Sequence, residues 1–207
     1  KHTTLQDQLK HQAQATPKQW LQPITDAPWG YRHKARLSCK YVEKKGKVLV
    51  GFREINGRYV ADITRCPVLH PSIGEKINAL SQLLGTLTIK DAIPQLEVAI
   101  GEQHRAIILR HLKPLTAPDQ ARLSDFAIQH EVQLFLQPKG TDSIHPLEPQ
   151  QPESLFYQIK TPPLRMEFAP HHFTQVNMAI NQKMLAQALE LLDLTPNDSV
   201  IDLFCGI

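Results

Sequence analysis

The sequence predicts an α+β fold, in which an antiparallel sheet packed with helices is followed by the start of a second domain. Short apolar runs recur between residues 37 and 168, and turns containing Gly or Asn separate several of them, which is typical of a sheet. Near the end of the chain, the apolar run 200–204 leads into Gly206. Such a run is typical of a buried parallel strand that enters a ligand-binding turn.

Composition is compatible with a globular protein and a nucleic-acid partner. Of 207 residues, 42% are hydrophobic and 21% are charged, and no apolar run approaches the roughly 20 residues that a membrane span requires. The formal net charge of +3 permits a nucleic-acid partner without demanding one. The three cysteines are sparse and odd in number, which excludes a disulfide framework and favours a cytoplasmic setting.

The first third of the chain is expected to contain one helix and three antiparallel strands. A loose apolar stripe predicts a helix over 1–22, ended by Pro23 and Pro28. A hairpin is predicted from strands 37–41 and 48–52 around the Lys-rich turn 44–47. A third strand over 59–63 should follow the Asn56-Gly57 turn.

The remaining elements follow from periodicity and from Gly and Pro positions. Apolar spacings of four, three and four residues predict a helix over 72–84, and Pro118 starts another that extends to His130. Residues 137–154 are rich in Pro and polar side chains and predict a long loop. The other expected elements are strands over 96–100, 106–112, 132–136, 156–159, 164–168 and 199–204, and a strong helix over 177–192.

Two polar segments are candidates for nucleic-acid recognition. Strand alternation places Arg32, Lys34 and Arg36 on one face beside aromatic residues, which fits phosphate contacts with base stacking and equally fits a solvated strand edge. Phe173 and Gln175 alternate just before the strong helix and suit a nucleobase, since one can stack and the other can bond to the base edge. The alternative for this segment is a simple helix cap with a buried Phe.

The cysteines give weaker signals when taken alone. Cys205 follows the apolar run 200–204, where it is either a nucleophile or a plain buried thiol, and its apolar neighbours favour the thiol. Cys66 precedes Pro67 after a predicted strand, and nothing else in the chain makes it a metal ligand. His171 and His172 lack the surrounding ligands of a zinc site.

Taken together, these segments give the chain a family resemblance. It resembles the RNA (uracil-5-)-methyltransferases, and within them the bacterial enzymes that act on 23S rRNA. The resemblance implies a Rossmann-like S-adenosylmethionine-dependent methyltransferase domain, a central α+β domain and an N-terminal RNA-binding barrel. The matching segments, in the family's order, are 29–37, 50–53, 65–69, 173–177 (Phe-Thr-Gln-Val-Asn), 181–184 and 202–206 (Asp-Leu-Phe-Cys-Gly).

The resemblance also implies roles for individual residues. Gln175 and Phe204 match positions that contact S-adenosylmethionine, and Cys66 matches one of the four ligands of a [4Fe-4S] cluster. Arg36 and Phe173 match positions near the flipped uridine, and Arg32 and Lys34 extend that RNA-binding set.

The resemblance assigns no catalytic residue to this chain. The family's nucleophilic cysteine and its general base are both expected to lie beyond Ile207, the last residue of the sequence. None of the three cysteines present is therefore expected to be the nucleophile.

The chain is accordingly expected to be an inactive fragment of an enzyme that forms 5-methyluridine in 23S rRNA through a covalent cysteine–uracil adduct. The expected division is 1–25 as a helix of the methyltransferase domain, 26–170 as the central domain and 171–207 as the start of the methyltransferase domain. The expected partner is 23S rRNA, and the protein should be monomeric, without a membrane segment. A non-catalytic RNA-binding module and a tRNA uracil-5-methyltransferase are the alternatives.

Overall fold

The structure is a computed structural model that describes residues 2–55, 57–148 and 152–206. Helices and strands alternate along the central part of the chain, and the described residues contain no helix that is long and apolar enough to cross a membrane. The helices are α1 (His2–His11), α2 (Pro71–Gly74), α3 (Ile77–Thr86), α4 (Ala117–His130) and α5 (Met178–Leu192). The strands are β1 (Lys34–Val42), β2 (Lys47–Gly51), β3 (Gln95–Ile100), β4 (Arg105–Arg110), β5 (Gln133–Gln137), β6 (His145–Pro146), β7 (Leu155–Lys160) and β8 (Pro163–Phe168).

Six strands form one mixed sheet in the order β2-β1-β3-β4-β5-β6. All neighbouring pairs are antiparallel except β4 and β5, which are parallel and are connected by α4. Parallel neighbours need such a crossover connection, whereas antiparallel neighbours can be joined by a short turn. The predicted α+β fold class is confirmed.

The β1–β2 hairpin forms as predicted, but the expected third strand does not. A short 3₁₀ turn, Glu43–Lys45, joins the two strands and ends at Gly46, whose φ of +63° lies in the left-handed region. In place of a strand over 59–63 there is one isolated bridge between Arg53 and Val60 among the described residues, and β2 is an edge strand of the sheet. Asn56, half of the predicted turn, lies outside the described residues.

The predicted helix over 72–84 is divided into α2 and α3. The Gly74 carbonyl accepts a hydrogen bond from the Cys66 N–H at 2.9 Å, and the Asn78 N–H donates to Thr64 O at 3.1 Å. These bonds replace the helical pairing of residues 74 and 78, which is why the ladder breaks there. A side chain at position 74 would collide with the Cys66 carbonyl, so this contact requires glycine.

Helices α3 and α4 cover one face of the sheet and enclose the main core. Apolar side chains from β1, β3 and β4 point to this face, including the fully buried Leu37, Leu96 and Leu109. The N-terminus of α4 is fixed by a capping box, in which Thr116 and Asp119 exchange hydrogen bonds between side chain and backbone. The helix-covered side of the sheet therefore holds an apolar core, and the capping box fixes the N-terminus of α4.

The hairpin formed by β7 and β8 covers part of the opposite face. A smaller apolar cluster fills the contact and is composed of Ala99, Ala106, Ile108, Phe135, Leu155 and Phe168. The strands pair from Leu155–Phe168 to Lys160–Pro163. The hairpin leads directly into the segment that precedes α5, so its position on the sheet determines where that segment lies.

Helix α1 is shorter than predicted, whereas α5 forms as expected. Helix α1 ends at His11 rather than at residue 22, with Gln14 in a left-handed conformation and Thr16 held away from helical geometry by the following proline. Among the described residues of α1 none is buried, so no packing extends it. Helix α5 begins after Asn177, which is its N-cap.

The expected strand over 199–204 does not form, and this prediction was wrong for the described residues. The segment has no regular secondary structure, and Ile201, Leu203 and Phe204 are exposed. A parallel strand requires a neighbouring strand, and no other strand of the described residues pairs with this segment. The apolar pattern is present without the partner that would bury it.

The predicted nucleophile and general base are both expected after the last residue of the chain. Ile207, beyond which the nucleophilic cysteine and the general base are expected, lies outside the described residues. The structure therefore describes the chain only as far as Gly206, and the placement of those two catalytic groups beyond Ile207 stays a prediction.

Candidate functional site

The segment between β8 and α5, residues 169–177, is held against the sheet by several contacts. The Lys34 ammonium donates to the Pro170 carbonyl, and the His33 N–H donates to Val176 O at 2.9 Å. At the far end, the Asn177 side chain accepts from the Ile180 N–H at 3.0 Å and caps α5. We call residues 169–177 the anchored loop.

The anchored loop turns two of the predicted site residues outward. Thr174 is buried, whereas Phe173 on one side of it is 76% exposed and Gln175 on the other side is also exposed. An exposed aromatic ring on a fixed backbone is available for stacking, since the loop has already lost its conformational freedom. The alternative of a helix cap with a buried Phe is therefore wrong for Phe173, although Asn177 does cap α5.

Arg36 lies on β1 and is oriented by an acidic neighbour. Its Nε and Nη2 lie 2.9 and 2.7 Å from the same oxygen of Glu97, which also accepts from Gln95 Nε2 at 3.0 Å. Glu97 is the register partner of Arg36 on β3, and the Arg36 side chain is 70% exposed. The pair fixes the direction of the guanidinium while leaving its other N–H groups free to bind an anion.

Lys34 shares the face of Arg36 but serves as an anchor. Burial lowers the pKa of the Lys34 ammonium, while Glu97 acts to raise it and Arg36 to lower it. Burial likewise lowers the pKa of His171 on the anchored loop, with further lowering from His172 and Lys34. Lys34 lies two residues before Arg36 on β1 and binds the Pro170 carbonyl, so the anchored loop and the Arg36–Glu97 pair are neighbours.

Arg32 departs from the prediction that three basic side chains share one face. It lies before β1, where it forms isolated bridges to Leu69 and Asn177. Its guanidinium lies 5.8 Å from the centre of the Phe52 ring, and Phe52 packs against the core on the helix-covered side. The common face therefore holds Lys34 and Arg36, and the prediction was wrong for Arg32 because strand geometry begins only at Lys34.

The three cysteines lie in different environments and do not converge. Cys39 and Cys66 are buried in the main core, whereas Cys205 is exposed. Burial raises the pKa of the Cys39 thiol to about 12, so it is neutral at pH 7. No group of three or more His, Cys, Asp or Glu side chains among the described residues could hold a metal ion.

The two predicted cofactor residues are both exposed. Gln175 projects from the anchored loop, and Phe204 is fully exposed with a φ of +62°. An adenosine site normally buries most of its ligand in a concave pocket. The described residues alone do not build such a pocket around Phe204.

Sequence reasoning missed Glu97, which orients Arg36. Its charge was visible, as an acid within the predicted strand 96–100. Its partner was not, because β1 and β3 are separated by more than fifty residues and are neighbours only through the sheet order. The anchoring role of Lys34 was missed for the same reason, since Pro170 lies 136 residues away.

Comparison with known proteins tests the resemblance to the RNA (uracil-5-)-methyltransferases. No protein-family model matches it. Over 207 residues it is 46% identical to the 23S rRNA (uracil(1939)-C(5))-methyltransferase RlmD of Cupriavidus necator, and over 212 residues 48% identical to the protein of that name from Francisella tularensis subsp. novicida. All of this chain is covered, together with 47% of each relative. The resemblance to uracil-C5 methyltransferases is confirmed.

The chain thus spans about half the length of the curated relatives it matches. A solved structure adds a likeness of fold. The tRNA (uracil-54, C5)-methyltransferase of Pyrococcus abyssi, in complex with S-adenosyl-L-homocysteine, superposes with a TM-score of 0.57 at 20% identity. The match covers 80% of this chain and 42% of that one, and it supports the α+β architecture alone.

Proposed function

We propose that residues 1–207 are a fragment, comprising the central domain and the start of the methyltransferase domain, of an S-adenosylmethionine-dependent methyltransferase that makes 5-methyluridine in 23S rRNA. The observation that carries this proposal is the similarity to 23S rRNA uracil-C5 methyltransferases, which extends over the whole chain at 46–48% identity. The anchored loop and the Arg36–Glu97 pair support it, because they combine an exposed aromatic ring with an oriented cation. Such a combination suits a nucleotide that has left its base stack.

In this proposal each predicted RNA-binding residue has a distinct task. Phe173 stacks on a base, and Arg36 contacts a phosphate or a base edge with the N–H groups that Glu97 leaves free. Lys34 acts indirectly, since its bond to the Pro170 carbonyl holds the anchored loop in place. Arg32 adds positive charge just before the first residue of β1, with its guanidinium 5.8 Å from the centre of the Phe52 ring.

Gln175 and Phe204 are the proposed contacts to S-adenosylmethionine. Gln175 fits, because it is an exposed amide on a fixed loop that is adjacent to the proposed RNA contact Phe173. Phe204 supports the proposal only as part of a longer protein, in which further residues would enclose it. The cofactor supplies the methyl group, and the residues of this chain orient the RNA toward it.

The proposed chemistry is covalent catalysis at uracil. A cysteine thiolate from beyond Ile207 adds to C6, and C5 of the resulting enolate takes the methyl group from the sulfonium. A base then removes the C5 proton, the bond between sulfur and C6 breaks, and the thiolate is regenerated. Cys39 and Cys66 are poor candidates for that nucleophile, because both are buried and burial keeps the Cys39 thiol neutral. Cys205 is exposed in the segment after α5, and the proposal does not assign it as the nucleophile.

Cys66 is the proposed contribution of this chain to a [4Fe-4S] cluster, which requires four thiolates. The described residues do not fit a cluster by themselves, because Cys66 is buried in the apolar core and no group of potential ligands among them surrounds it. Three further cysteines from outside residues 1–207 would have to reach it. No step of the proposed reaction passes through the cluster.

The proposed domain division is unchanged from the sequence: 1–25 and 171–207 belong to the methyltransferase domain and 26–170 form the central domain. One contact of Lys183 on α5 supports it, since its ammonium donates to the Thr25 carbonyl at 2.7 Å, and the same ammonium also pairs with Asp26 at the first residue of the central domain. The Thr25 contact joins the first segment of the chain to α5. A monomeric, cytoplasmic protein completes the proposal.

Methyl transfer by the complete protein tests the proposal. We expect it to transfer one labelled methyl group from S-adenosylmethionine to a uridine of unmodified 23S rRNA and to leave tRNA unlabelled. Phe173→Ala should reduce kcat/KM by about 10- to 100-fold, the loss of roughly 1–3 kcal/mol of stacking. Tyr59→Ala is the control, because Tyr59 is another exposed aromatic residue and is not part of the anchored loop.

Labelling of tRNA alone would favour the tRNA methyltransferase, and RNA binding without any methyl transfer would favour the non-catalytic module. Equal losses from Phe173→Ala and Tyr59→Ala would contradict the role of the anchored loop.

A further inference from the structure

The face of the sheet opposite α3 and α4 is only partly covered. The β7–β8 hairpin packs over Ala99, Ala106 and Ile108, near one end of the strands. Polar side chains of β1, β3 and β4 occupy the other end of this face, which we call the open half-face. Its members are Arg36, Ser38, Lys40, Gln95, Glu97 and Arg110.

The strand register fixes the spacing of these side chains. Ser38, Gln95 and Arg110 are successive partners across β1, β3 and β4. Neighbouring strands lie about 4.8 Å apart, so Arg110 stands about 10 Å from Ser38 across the sheet. Arg36 and Lys40 lie two residues before and after Ser38, about 7 Å away along β1. Three cations therefore surround a polar centre made by Ser38 and Gln95.

The charge of the open half-face is unbalanced. Glu97 is its one acidic residue within the described strands, and that carboxylate is already bound by Arg36 and Gln95. The nearby Asp91 is paired with Lys113 at 2.7 Å. Within residues 2–55, 57–148 and 152–206, neither Lys40 nor Arg110 forms an ion pair, and both are exposed.

Edge protection does not account for these cations. Lysine is often placed on edge strands, where it prevents pairing with other chains. Strands β1, β3 and β4 are all interior, each with a partner on both sides. The cations therefore point from the middle of a sheet to solvent, beside a site that already presents Phe173 and Arg36.

We propose that the open half-face binds the phosphate backbone of the RNA next to the target nucleotide, with Lys40 and Arg110 as the phosphate contacts. The inference rests on the proposed function for the identity of the polyanion. It adds a second contact region that makes no base contacts, since phosphate contacts by cationic side chains carry no sequence information. Arg36 connects this region to the anchored loop, because it belongs to both neighbourhoods.

The test compares two charge-matched double variants of the complete protein. Lys40→Gln with Arg110→Gln removes the proposed contacts. Lys18→Gln with Arg58→Gln removes two exposed cations that lie outside the strands of the six-stranded sheet. For each protein, Kd for a 23S rRNA fragment is measured by fluorescence anisotropy at several salt concentrations, and methyl transfer is measured at saturating RNA.

We expect the first double variant to bind about 10-fold or more weakly at low salt, with a slope of log K against log salt that is reduced by about 1.4 to 1.8. Its kcat at saturating RNA and its Tm should stay close to those of the unmodified protein. An unchanged slope, or an equal change in the control pair, overturns the inference. Failure of the unmodified protein to methylate the RNA would sink the proposed function instead, and a reduced slope in that case would still support the phosphate contacts.

Discussion

The two faces of the six-stranded sheet are built from the same strands but differ in burial and in charge. On the helix-covered face, side chains such as Leu37 and Leu96 are fully buried and are selected by packing. On the part of the opposite face that the β7–β8 hairpin leaves open, β1 presents the exposed Arg36 and Lys40, which no packing requirement explains. The helix-covered face stabilises the fold, and the open half-face is available for a partner, so substitutions in these two regions should have separable effects.

The largest expected effect is on the buried face. Leu37→Ala should lower the free energy of unfolding by about 2–5 kcal/mol, because it removes a fully buried side chain and leaves a cavity. Lys40→Ala, three residues later on the same strand and on the other face, should change it by less than about 0.5 kcal/mol. Urea denaturation of both variants measures the two changes in the free energy of unfolding. Similar losses of stability in both variants would contradict the difference between the faces.

A buried polar group in the helix layer should have the next largest effect. Asp119 accepts hydrogen bonds from the Thr88 N–H at 2.9 Å and from the Thr116 N–H and hydroxyl at 3.2 and 2.9 Å. Asp119→Ala leaves these donors without their acceptor and should cost about 2–4 kcal/mol. Asp125→Ala, an exposed substitution on the same helix, is the control and should have little effect.

The same carboxylate gives a pH dependence of known sign. Burial acts to raise the pKa of Asp119, but the hydrogen bonds from Thr88 and Thr116 prevail and lower it. Because the folded pKa lies below the unfolded one, its contribution is present above the unfolded pKa of about 3.9 and is lost as the pH falls through the folded pKa. The deficit of Asp119→Ala should therefore shrink in acid, and a deficit that is constant with pH would show that its charge is irrelevant.

The smallest expected effect concerns His70, which caps α2. Its Nδ1 accepts from the Ser72 N–H at 3.3 Å, so the ring must be neutral to cap. Burial lowers its pKa, with further lowering from His33 and Arg105. Stability from this group is thus present above the unfolded pKa of about 6.5 and is lost as the pH falls through the lower folded value.

His70→Asn keeps a capping oxygen that does not titrate. The free energy of unfolding, obtained from thermal unfolding, should therefore fall between pH 7 and pH 5 in the unmodified protein. In His70→Asn this fall should be smaller by up to about 1 kcal/mol. An identical pH dependence in both proteins would show that titration of the His70 ring does not affect stability.

Most of the sheet could be predicted from the sequence because its signals are local. The hairpin around Gly46, strands β3 to β5 and the start of α4 near Pro118 each depend on residues that are close together in the chain. The break at Gly74 could not be predicted, since it arises from hydrogen bonds to Cys66 and Thr64 that only the folded chain creates. The strand expected over 199–204 shows the reverse case, a correct apolar pattern without a partner strand among the described residues.

The site divides in the same way. The cap Asn177 follows from the helix that begins at Met178, so the sequence indicated an aromatic residue beside a cap, and only the structure shows that the Phe173 ring is exposed. The tasks of Glu97 and Lys34 depend on contacts 61 and 136 residues apart in the chain and could not be read from spacing. Side chains with such distant partners were the ones that the sequence described least well.

Cross-linking tests the central claim most directly. The complete protein would be irradiated in complex with a 23S rRNA fragment, and the cross-linked peptides would be identified by mass spectrometry. We expect cross-links in the anchored loop, at Phe173 above all, and on β1, with none on α3 or α4. Cross-links confined to α3 and α4, with the anchored loop and β1 unmodified, would contradict the assignment of the RNA to the open side of the sheet.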